Sequence, residues 1–132
     1  MDAERFIDTN VLLYLLSGDS SRADRAEEEL GAGGITSVQV LNEFASVATR
    51  KLGLSLAEVR DVLAAIRSTC AIVPVTEETH DLGLQIAQRH KLSVWDAMIL
   101  AAAKLAGCRI VVTEDLQHGQ ILSGLRLRNP FR

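Results

Sequence analysis

The chain has 132 residues, of which 48% are apolar, 23% charged and 4% aromatic. This size and apolar content allow one domain, residues 1–132, to bury a core without disulfides or a structural metal. The net charge of -3 argues against a broad basic surface for nucleic acid, and the few aromatic residues argue against an extended platform of rings on which bases stack.

Short apolar strands alternate with helices along the chain. Apolar runs bounded by turn residues predict strands over residues 5–8, 35–36, 71–75, 109–113 and 125–127. Apolar residues at helical spacing predict helices over residues 11–16, 21–30, 37–53, 55–66, 76–89 and 93–105. This alternation indicates a parallel sheet covered by helices on both faces.

Local signals mark several helix ends. Thr9 or Asn10 can cap the first helix, and Gly53 can end the third. Ser55 and Glu58 form a capping box that starts the fourth. No Asn-Gly or Asp-Gly pair joins two strands as a hairpin turn would. We therefore predict a three-layer α/β domain with a central parallel sheet of four to five strands flanked by helices.

Four acidic residues from distant parts of the chain are candidates for one functional site. Asp8 and Asp115 follow predicted strands, and ligands of parallel sheets bind beyond the carboxyl ends of the strands, where the strand order reverses. Glu43 lies at the edge of the apolar stripe of its helix, where it can face a cleft. Asp96 lies in the first turn of a helix, so capping explains it equally well.

Carboxylates that converge in this way repel one another unless a cation lies between them. Two unit charges about 4 Å apart repel by about 4 kcal/mol at an effective dielectric near 20. Oxygen ligands without Cys or His favour Mg²⁺ or Mn²⁺, and such ions activate water for attack on phosphorus. The four acids therefore predict hydrolysis of phosphodiester bonds.

Other chemistries fit the sequence less well. The glycines of residues 31–34 lack the Gly-Lys-Ser/Thr of a phosphate-binding loop. The histidines have no spacing that places two of them on one helix face, which disfavours a zinc hydrolase. The N-terminus has no signal-peptide pattern and no apolar stretch reaches the roughly 18 residues of a membrane span, so we expect a cytoplasmic protein without membrane association.

Four segments occur in an order typical of one protein family. They are Phe6-Ile7-Asp8-Thr9-Asn10, Ser37 through Glu43, Asp96-Ala97 and Thr113-Glu114-Asp115-Leu116. Together they resemble the PIN domain, and the compact chain resembles the VapC-type toxin of a bacterial or archaeal toxin–antitoxin pair. The resemblance covers essentially the whole chain.

This resemblance implies an endoribonuclease that depends on Mg²⁺ or Mn²⁺ and hydrolyses RNA with metal-activated water. The catalytic, metal-binding quartet would be Asp8, Glu43, Asp96 and Asp115. The three aspartates would be the main metal ligands, and the glutamate would help to place a second ion.

Four further residues have roles implied by the same resemblance. Asn10 and Thr113 would orient a carboxylate or a water molecule, and Ser37 would contact the scissile phosphate. Glu114 is a candidate fifth acid, although its position next to Asp115 can turn its side chain away.

The implied partners are an RNA substrate, a cognate antitoxin whose tail enters the acidic groove, and a second copy of the chain in a homodimer. Basic residues at 50–51, 89–91 and 126–132 are candidates for attracting RNA phosphates, although solvated helix ends explain the first two. Two alternative functions stay open. One is a PIN-like module that binds RNA or protein without cutting, and the other is a small metal-dependent phosphatase.

Overall fold

The structure is a computed structural model that describes residues 4–132. Within that range the strands are β1 (Arg5–Ile7), β2 (Gly34–Ser37), β3 (Cys70–Val73), β4 (Ile110–Val112), β5 (Ile121–Leu122) and β6 (Leu125–Arg128). The helices are α1 (Thr9–Leu13), α2 (Ser20–Gly31), α3 (Val38–Arg50), α4 (Leu56–Thr69), α5 (Glu77–His90) and α6 (Val94–Leu105). A 3₁₀ turn, Tyr14–Leu16, follows α1.

The strands form one sheet in the order β3-β2-β1-β4-β6-β5. All neighbouring strands are parallel except β5 and β6, which are antiparallel. The predicted α/β architecture with a central, mostly parallel sheet is therefore confirmed. The chain moves from β1 outward to β2 and β3 and then returns to β4 on the other side of β1, so the strand order reverses between β1 and β4.

The prediction of four to five strands was wrong, because residues 4–132 form a sheet of six strands. The additional strand, β5, forms a hairpin with β6 through the two residues Ser123 and Gly124. Both have positive φ angles, 50° and 82°, as both central residues of a type I′ turn require. Serine occupies the first of these positions, which is why the expected Asn-Gly or Asp-Gly signal was absent.

Helix starts follow the sequence with one correction. The capping box of Ser55 and Glu58 is present at the start of α4. The first helix, however, is capped by Asp8 and not by Thr9 or Asn10, because the Asp8 carboxylate accepts the Thr9 N–H. The same aspartate therefore ends β1, starts α1 and faces the candidate site.

Helix α6 packs against α5 at a distance that only glycine allows. A Cβ atom added to Gly83 would lie 2.5 Å from the Met98 sulfur. Residues Ala97 to Ala103 of α6 are all buried, so the middle of this helix belongs to the core. Within residues 4–132 none of the helices has the length and apolar character needed to cross a bilayer.

A buried charge cluster lies away from the candidate site. Arg5 and Glu29 are 6% and 5% exposed and form an ion pair. Arg5 also donates to the carbonyl oxygens of Glu29 and Gly33, while Arg128 and Arg25 reach the same carboxylate at 2.5 and 3.6 Å. One glutamate thus ties the first strand, the second helix and the last strand together.

Replacing Glu29 by alanine should lower the free energy of unfolding by about 3 to 5 kcal/mol, because removing one partner leaves the buried Arg5 guanidinium uncompensated. Glu28 is a matched control, since its side chain is 66% exposed and pairs only with Arg25. Glu28→Ala should cost less than about 1 kcal/mol. Urea unfolding of both variants measures the difference, and equal losses would contradict a structural role for the buried cluster.

Candidate active site

The pairing of β1 with β4 places the first two residues of the site side by side. Ile7 lies opposite Val112 in the parallel ladder, and the Asp8 N–H donates to the Val112 carbonyl at 3.0 Å. Asp8 and Thr113 are therefore the first residues beyond two adjacent strand ends. The Thr113 hydroxyl donates to the Asp8 carboxylate at 2.9 Å, so the register of the sheet determines this contact.

Asp8 is the most buried of the four acids, at 7% exposure. Its second carboxylate oxygen accepts the Thr9 N–H at 2.7 Å. Burial raises the pKa of the Asp8 carboxyl to about 7; nearby Asp115 and Glu43 add to this rise, and hydrogen bonds from Thr113 and Thr9 oppose it. Asp8 is therefore a carboxyl group that changes charge near neutral pH.

All four predicted acids line one cavity of about 330 Å³ beside the reversal in strand order. The remaining lining residues are Thr9, Asn10, Leu13, Ser46, Val47, Arg50 and Ile99. The acids come from a strand end, from α3, from the first turn of α6 and from the loop after β4. The topology thus brings together carboxylates that are far apart in sequence.

Glu43 is half-buried and is held from two sides. Its carboxylate accepts the Thr9 hydroxyl at 2.7 Å and the Gln39 amide at 3.2 Å. Thr9 is the residue directly after Asp8, so the first turn of α1 orients two of the four acids. Gln39 lies one helical turn before Glu43 on the same face of α3.

Asp96 is half-buried in the first turn of α6, where its N–H donates to the Ser93 hydroxyl at 3.1 Å. The capping explanation is thus correct for the backbone of this residue. Burial raises the pKa of the Asp96 carboxyl, the Ser93 hydroxyl opposes that rise, and Asp115 and Glu43 add to it. Asp96 therefore experiences the charges of two other acids in the cavity and is more than a cap.

Two adjacent acids in the loop after β4 face different directions. Asp115 is exposed and lines the cavity. The Glu114 carboxylate instead accepts the Tyr14 hydroxyl at 2.7 Å and an Arg22 N–H at 2.8 Å. The structure therefore places Glu114 outside the group of four, as its position next to Asp115 allowed.

Asn10 and Thr113 connect the strand ends with this loop. The Asn10 amide donates to the Thr113 hydroxyl at 3.1 Å, and its carbonyl oxygen accepts the Glu114 N–H at 3.0 Å. The Thr113 hydroxyl also accepts the Asp115 N–H at 3.3 Å. Both residues contact groups that carry the acids, which is the position expected for residues that orient a carboxylate.

Ser37 lies elsewhere. It is fully buried at the end of β2, and its hydroxyl accepts the Val40 N–H at 3.4 Å as the cap of α3. It is not among the residues that line the acidic cavity. A buried helix cap would touch a phosphate only after rearrangement of the helix start, and the phosphate contact of Ser37 stays a prediction.

Two further residues lie in the cavity region, of which Gln39 was not predicted from the sequence and Arg50 belongs to the basic pair at 50–51 that was. Gln39 supports Glu43, and a signal was available because an amide four residues before an acid lies on the same helix face. Arg50 lines the cavity, although its position at the end of α3 also fits a solvated helix end. In the basic tail, Arg128 forms an ion pair with the buried Glu29.

The donor set of the cavity suits a hard divalent cation, since it consists of carboxylate oxygens with a buried aspartate at its base. Among residues 4–132, however, no three His, Cys, Asp or Glu side chains already have the close arrangement of a metal site. For a metal ion to bind, the side chains of the exposed Asp115 and of the half-buried Glu43 and Asp96 would have to rotate toward one another. Repulsion among the carboxylates keeps them apart when no cation is bound.

Comparison with known proteins agrees with this geometry. Residues 5–121 match the model of the PIN domain family. The chain belongs to the PIN domain family. A comparison with curated protein sequences gives no match.

Solved structures show the same fold in toxin–antitoxin proteins. A toxin–antitoxin complex from Klebsiella pneumoniae is 23% identical with a TM-score of 0.73, covering 96% of this chain and 97% of that one. VapC20 of Mycobacterium tuberculosis, a toxin that cleaves the sarcin–ricin loop, is 21% identical with a TM-score of 0.66, covering 84% and 89%. VapBC2 of Rickettsia felis bound to promoter DNA is 16% identical with a TM-score of 0.69, covering 95% and 97%. At these identities the likeness establishes the fold.

The raised pKa of Asp8 predicts how the stability of the metal-free protein depends on pH. A folded-state pKa of about 7 against an ordinary value of 3.8 means that the folded protein binds the proton more tightly. The resulting stabilisation is complete below about pH 4 and is lost as the pH rises through 7. Asp8→Asn stays neutral, so its stability relative to the parent should rise by a few kcal/mol from pH 4 to pH 8, at about 1.4 kcal/mol per pKa unit.

Denaturant unfolding in EDTA at several pH values measures this difference. Asp61→Asn is the control, because Asp61 is an exposed acid on α4. Its stability difference from the parent should stay nearly constant with pH. A constant difference for Asp8→Asn as well would show that the Asp8 carboxyl titrates normally.

Proposed function

We propose that this protein is a metal-dependent endoribonuclease that acts as the toxin of a type II toxin–antitoxin pair. The observation that carries the proposal is the meeting of Asp8, Glu43, Asp96 and Asp115 in one cavity beyond the strand ends of a PIN-family fold. A cavity of this kind favours a cationic ligand and a reaction at phosphorus over chemistry that needs a neutral pocket.

The residues that would hold Mg²⁺ or Mn²⁺ are the three aspartates, with Glu43 as a further ligand or as the support of a second ion. When bound, the ion would supply an activated water and would stabilise negative charge on the phosphate. Cation binding requires the Asp8 carboxyl to release its proton, which the pKa of about 7 allows at physiological pH.

The remaining residues would orient the acids and the substrate. The Thr113 hydroxyl fixes one oxygen of Asp8, and Thr9 and Gln39 fix the two oxygens of Glu43. The Thr113 contact holds the buried Asp8 carboxylate in place before any ligand binds, whereas the Glu43 carboxylate would give up a hydrogen bond when it turns toward an ion. Arg50 at the cavity lining gives the substrate phosphate a cationic partner against the net negative charge.

A protein antitoxin is part of the same proposal. The similar structures from Klebsiella pneumoniae and Rickettsia felis are described as toxin–antitoxin assemblies. We infer that a cognate antitoxin holds this chain inactive by covering the acidic cavity. The expected homodimer remains a prediction that size measurements in solution can test.

Asp8→Asn should abolish RNA cleavage, with a loss of at least about 1,000-fold, because it removes the buried charge at the base of the cavity. Total RNA incubated with Mg²⁺ or Mn²⁺, followed by mapping of the cut ends, gives the measurement. Asp61→Asn is the control and should cut at the parental rate. If the parent binds RNA and leaves it intact under every metal condition, the protein is a non-cleaving PIN-like module.

Thr113→Val should weaken metal binding or cleavage by about 10- to 100-fold, as is usual when a group that orients a metal ligand is lost. Valine has nearly the same shape but cannot donate to Asp8 or accept from Asn10. Thr113→Ser keeps the hydroxyl and should restore most of the activity. Equal activity of the valine and serine variants would show that the hydroxyl does not orient the site. Mn²⁺ titration by calorimetry and the cleavage rate are both informative.

A further inference from the structure

Asp115 is held in a different way from two other acids of the cavity. The carboxylates of Asp8 and Glu43 accept hydrogen bonds from neighbouring side chains. Asp115 is exposed, and it is its backbone N–H that contacts the fold, by donating to the Thr113 hydroxyl at 3.3 Å. The position of the Asp115 carboxylate therefore depends on the path of the loop that follows β4.

Glu114, the residue before Asp115, anchors that loop at three atoms. Its backbone N–H donates to the Asn10 side-chain oxygen at 3.0 Å. One oxygen of its carboxylate accepts the Tyr14 hydroxyl at 2.7 Å, and the other accepts an Arg22 N–H at 2.8 Å. The first helix, the 3₁₀ turn and α2 thus all hold the same residue, and its carboxylate is already occupied by partners within the protein.

Arg22 is itself oriented by two aromatic rings. The centre of its guanidinium lies 5.1 Å from the Tyr14 ring centroid and 5.2 Å from that of Phe131, and the two rings contact each other edge to face at 4.5 Å. A guanidinium at this distance from aromatic rings is attracted to them, and its planar shape restricts the directions in which its N–H groups point. Arg22 therefore presents its N–H to Glu114 from a restricted position.

Residues 129–132 hold the same loop from the other side of Asp115. The Asn129 N–H donates to the His118 ring nitrogen Nδ1 at 2.9 Å. His118 lies three residues after Asp115, so the loop is held on both sides of that acid. The Pro130 carbonyl accepts the Arg25 Nε–H at 2.8 Å, which fixes this segment to α2.

We propose that Arg22 is a positioning residue for metal binding: through Glu114 it fixes the loop that carries Asp115 and thereby sets the affinity of the acidic cavity for a divalent cation. Arg22 is not among the residues that line the cavity, so it acts through Glu114. The proposal rests on the proposed metal-dependent function and assigns Glu114 to the support of the loop, not to the ion.

The exposure of the pair separates this role from a contribution to overall stability. The side chains of Arg22 and Glu114 are 41% and 30% exposed. Ion pairs with this degree of exposure contribute little to the free energy of unfolding. Loss of Arg22 should therefore leave the urea midpoint close to that of the parent, and a change in metal affinity would come from the loop.

Electrostatics and positioning predict changes of opposite sign. Removing the Arg22 charge makes the surroundings of the acids more negative, and charge alone would then strengthen the binding of a cation. Loss of a positioning residue weakens binding, because the free loop must be ordered again when the ion binds. The direction of the change in affinity therefore decides between the two.

Mn²⁺ titration by calorimetry, without RNA, measures that direction. Arg22→Ala should weaken Mn²⁺ binding by about 10-fold, the lower end of the range for loss of a group that orients a metal ligand. Arg22→Lys keeps a charge that can pair with Glu114 and should lose less. Arg60→Ala is the matched control, because Arg60 is an exposed arginine on α4 and its removal changes the net charge equally. Its Mn²⁺ affinity should not fall below that of the parent.

A double-mutant cycle tests whether Arg22 acts through Glu114. If it does, the double variant Arg22→Ala/Glu114→Ala should bind Mn²⁺ no more weakly than the weaker of the two single variants. If Glu114 were instead a ligand, Glu114→Ala alone would weaken binding, and Arg22→Ala would free the Glu114 carboxylate and strengthen it. Unchanged or stronger Mn²⁺ binding by Arg22→Ala overturns the proposal.

Cleavage of RNA separates this proposal from the ribonuclease function. In Arg22→Ala the Mn²⁺ concentration for half-maximal cleavage should rise, while the rate at saturating Mn²⁺ stays near that of the parent, because a bound ion orders the loop. If the parent cuts RNA and Arg22→Ala has the parental Mn²⁺ dependence, the positioning role fails and the ribonuclease stands. Weakened Mn²⁺ binding in a protein that never cuts RNA would support the positioning role and contradict the ribonuclease. A parent that does not bind Mn²⁺ contradicts both.

Discussion

The parallel pairing of β1 with β4 is the constraint on which the site depends. The register of Ile7 opposite Val112 puts Asp8 and Thr113 at the same height beyond the sheet, and the hydrogen bond from Asp8 N–H to the Val112 carbonyl extends the ladder by one residue. A slip of one residue would turn every side chain of the strand to the other face. The aspartate would then lose the threonine hydroxyl, and the cavity would lose its base.

Negative charge is compensated by arginines in the interior of the fold and is not compensated to the same degree in the acidic cavity. Glu29, buried among β1, α2 and β6, has three arginines near its carboxylate, so its charge is neutralised within the protein. The acidic cavity has one arginine for four carboxylates. There burial raises the pKa of the Asp8 carboxyl to about 7, and the nearby Asp115 and Glu43 add to that rise. The protein neutralises the buried Glu29 with its own arginines but provides one arginine for the four acids of the cavity. This contrast is the physical reason to expect that a cationic ligand binds to those acids.

Prediction from the sequence succeeded where periodicity and position decide the structure. Short apolar strands between amphipathic helices gave the α/β class, and acids at strand ends converged because parallel strands share one carboxyl edge. Local signals were less reliable when one residue serves two purposes. Asp8 is both a helix cap and an acid of the cavity, so the prediction that Thr9 or Asn10 caps the first helix was wrong.

The remaining features depend on contacts that no local pattern encodes. Ser37 is part of a family-like segment, yet its depth at the end of β2 makes it a cap rather than a surface group. The Ser123-Gly124 turn was missed because serine rarely adopts a positive φ, and the pairing of β5 with β6 imposes it. Composition gives a low aromatic content, but it cannot show that the one tryptophan is exposed beside the acids.

The hydrogen bonds of Gln39 connect α3 with the first turn of α6. The Gln39 amide donates to the Glu43 carboxylate and to the Trp95 carbonyl, so the position of Glu43 restricts the position of the Trp95 backbone. Just beyond the first turn of α6, Met98 packs closely on Gly83 of α5. Binding of a metal ion between Glu43 and Asp96 would therefore depend on how α3 and the start of α6 are held together.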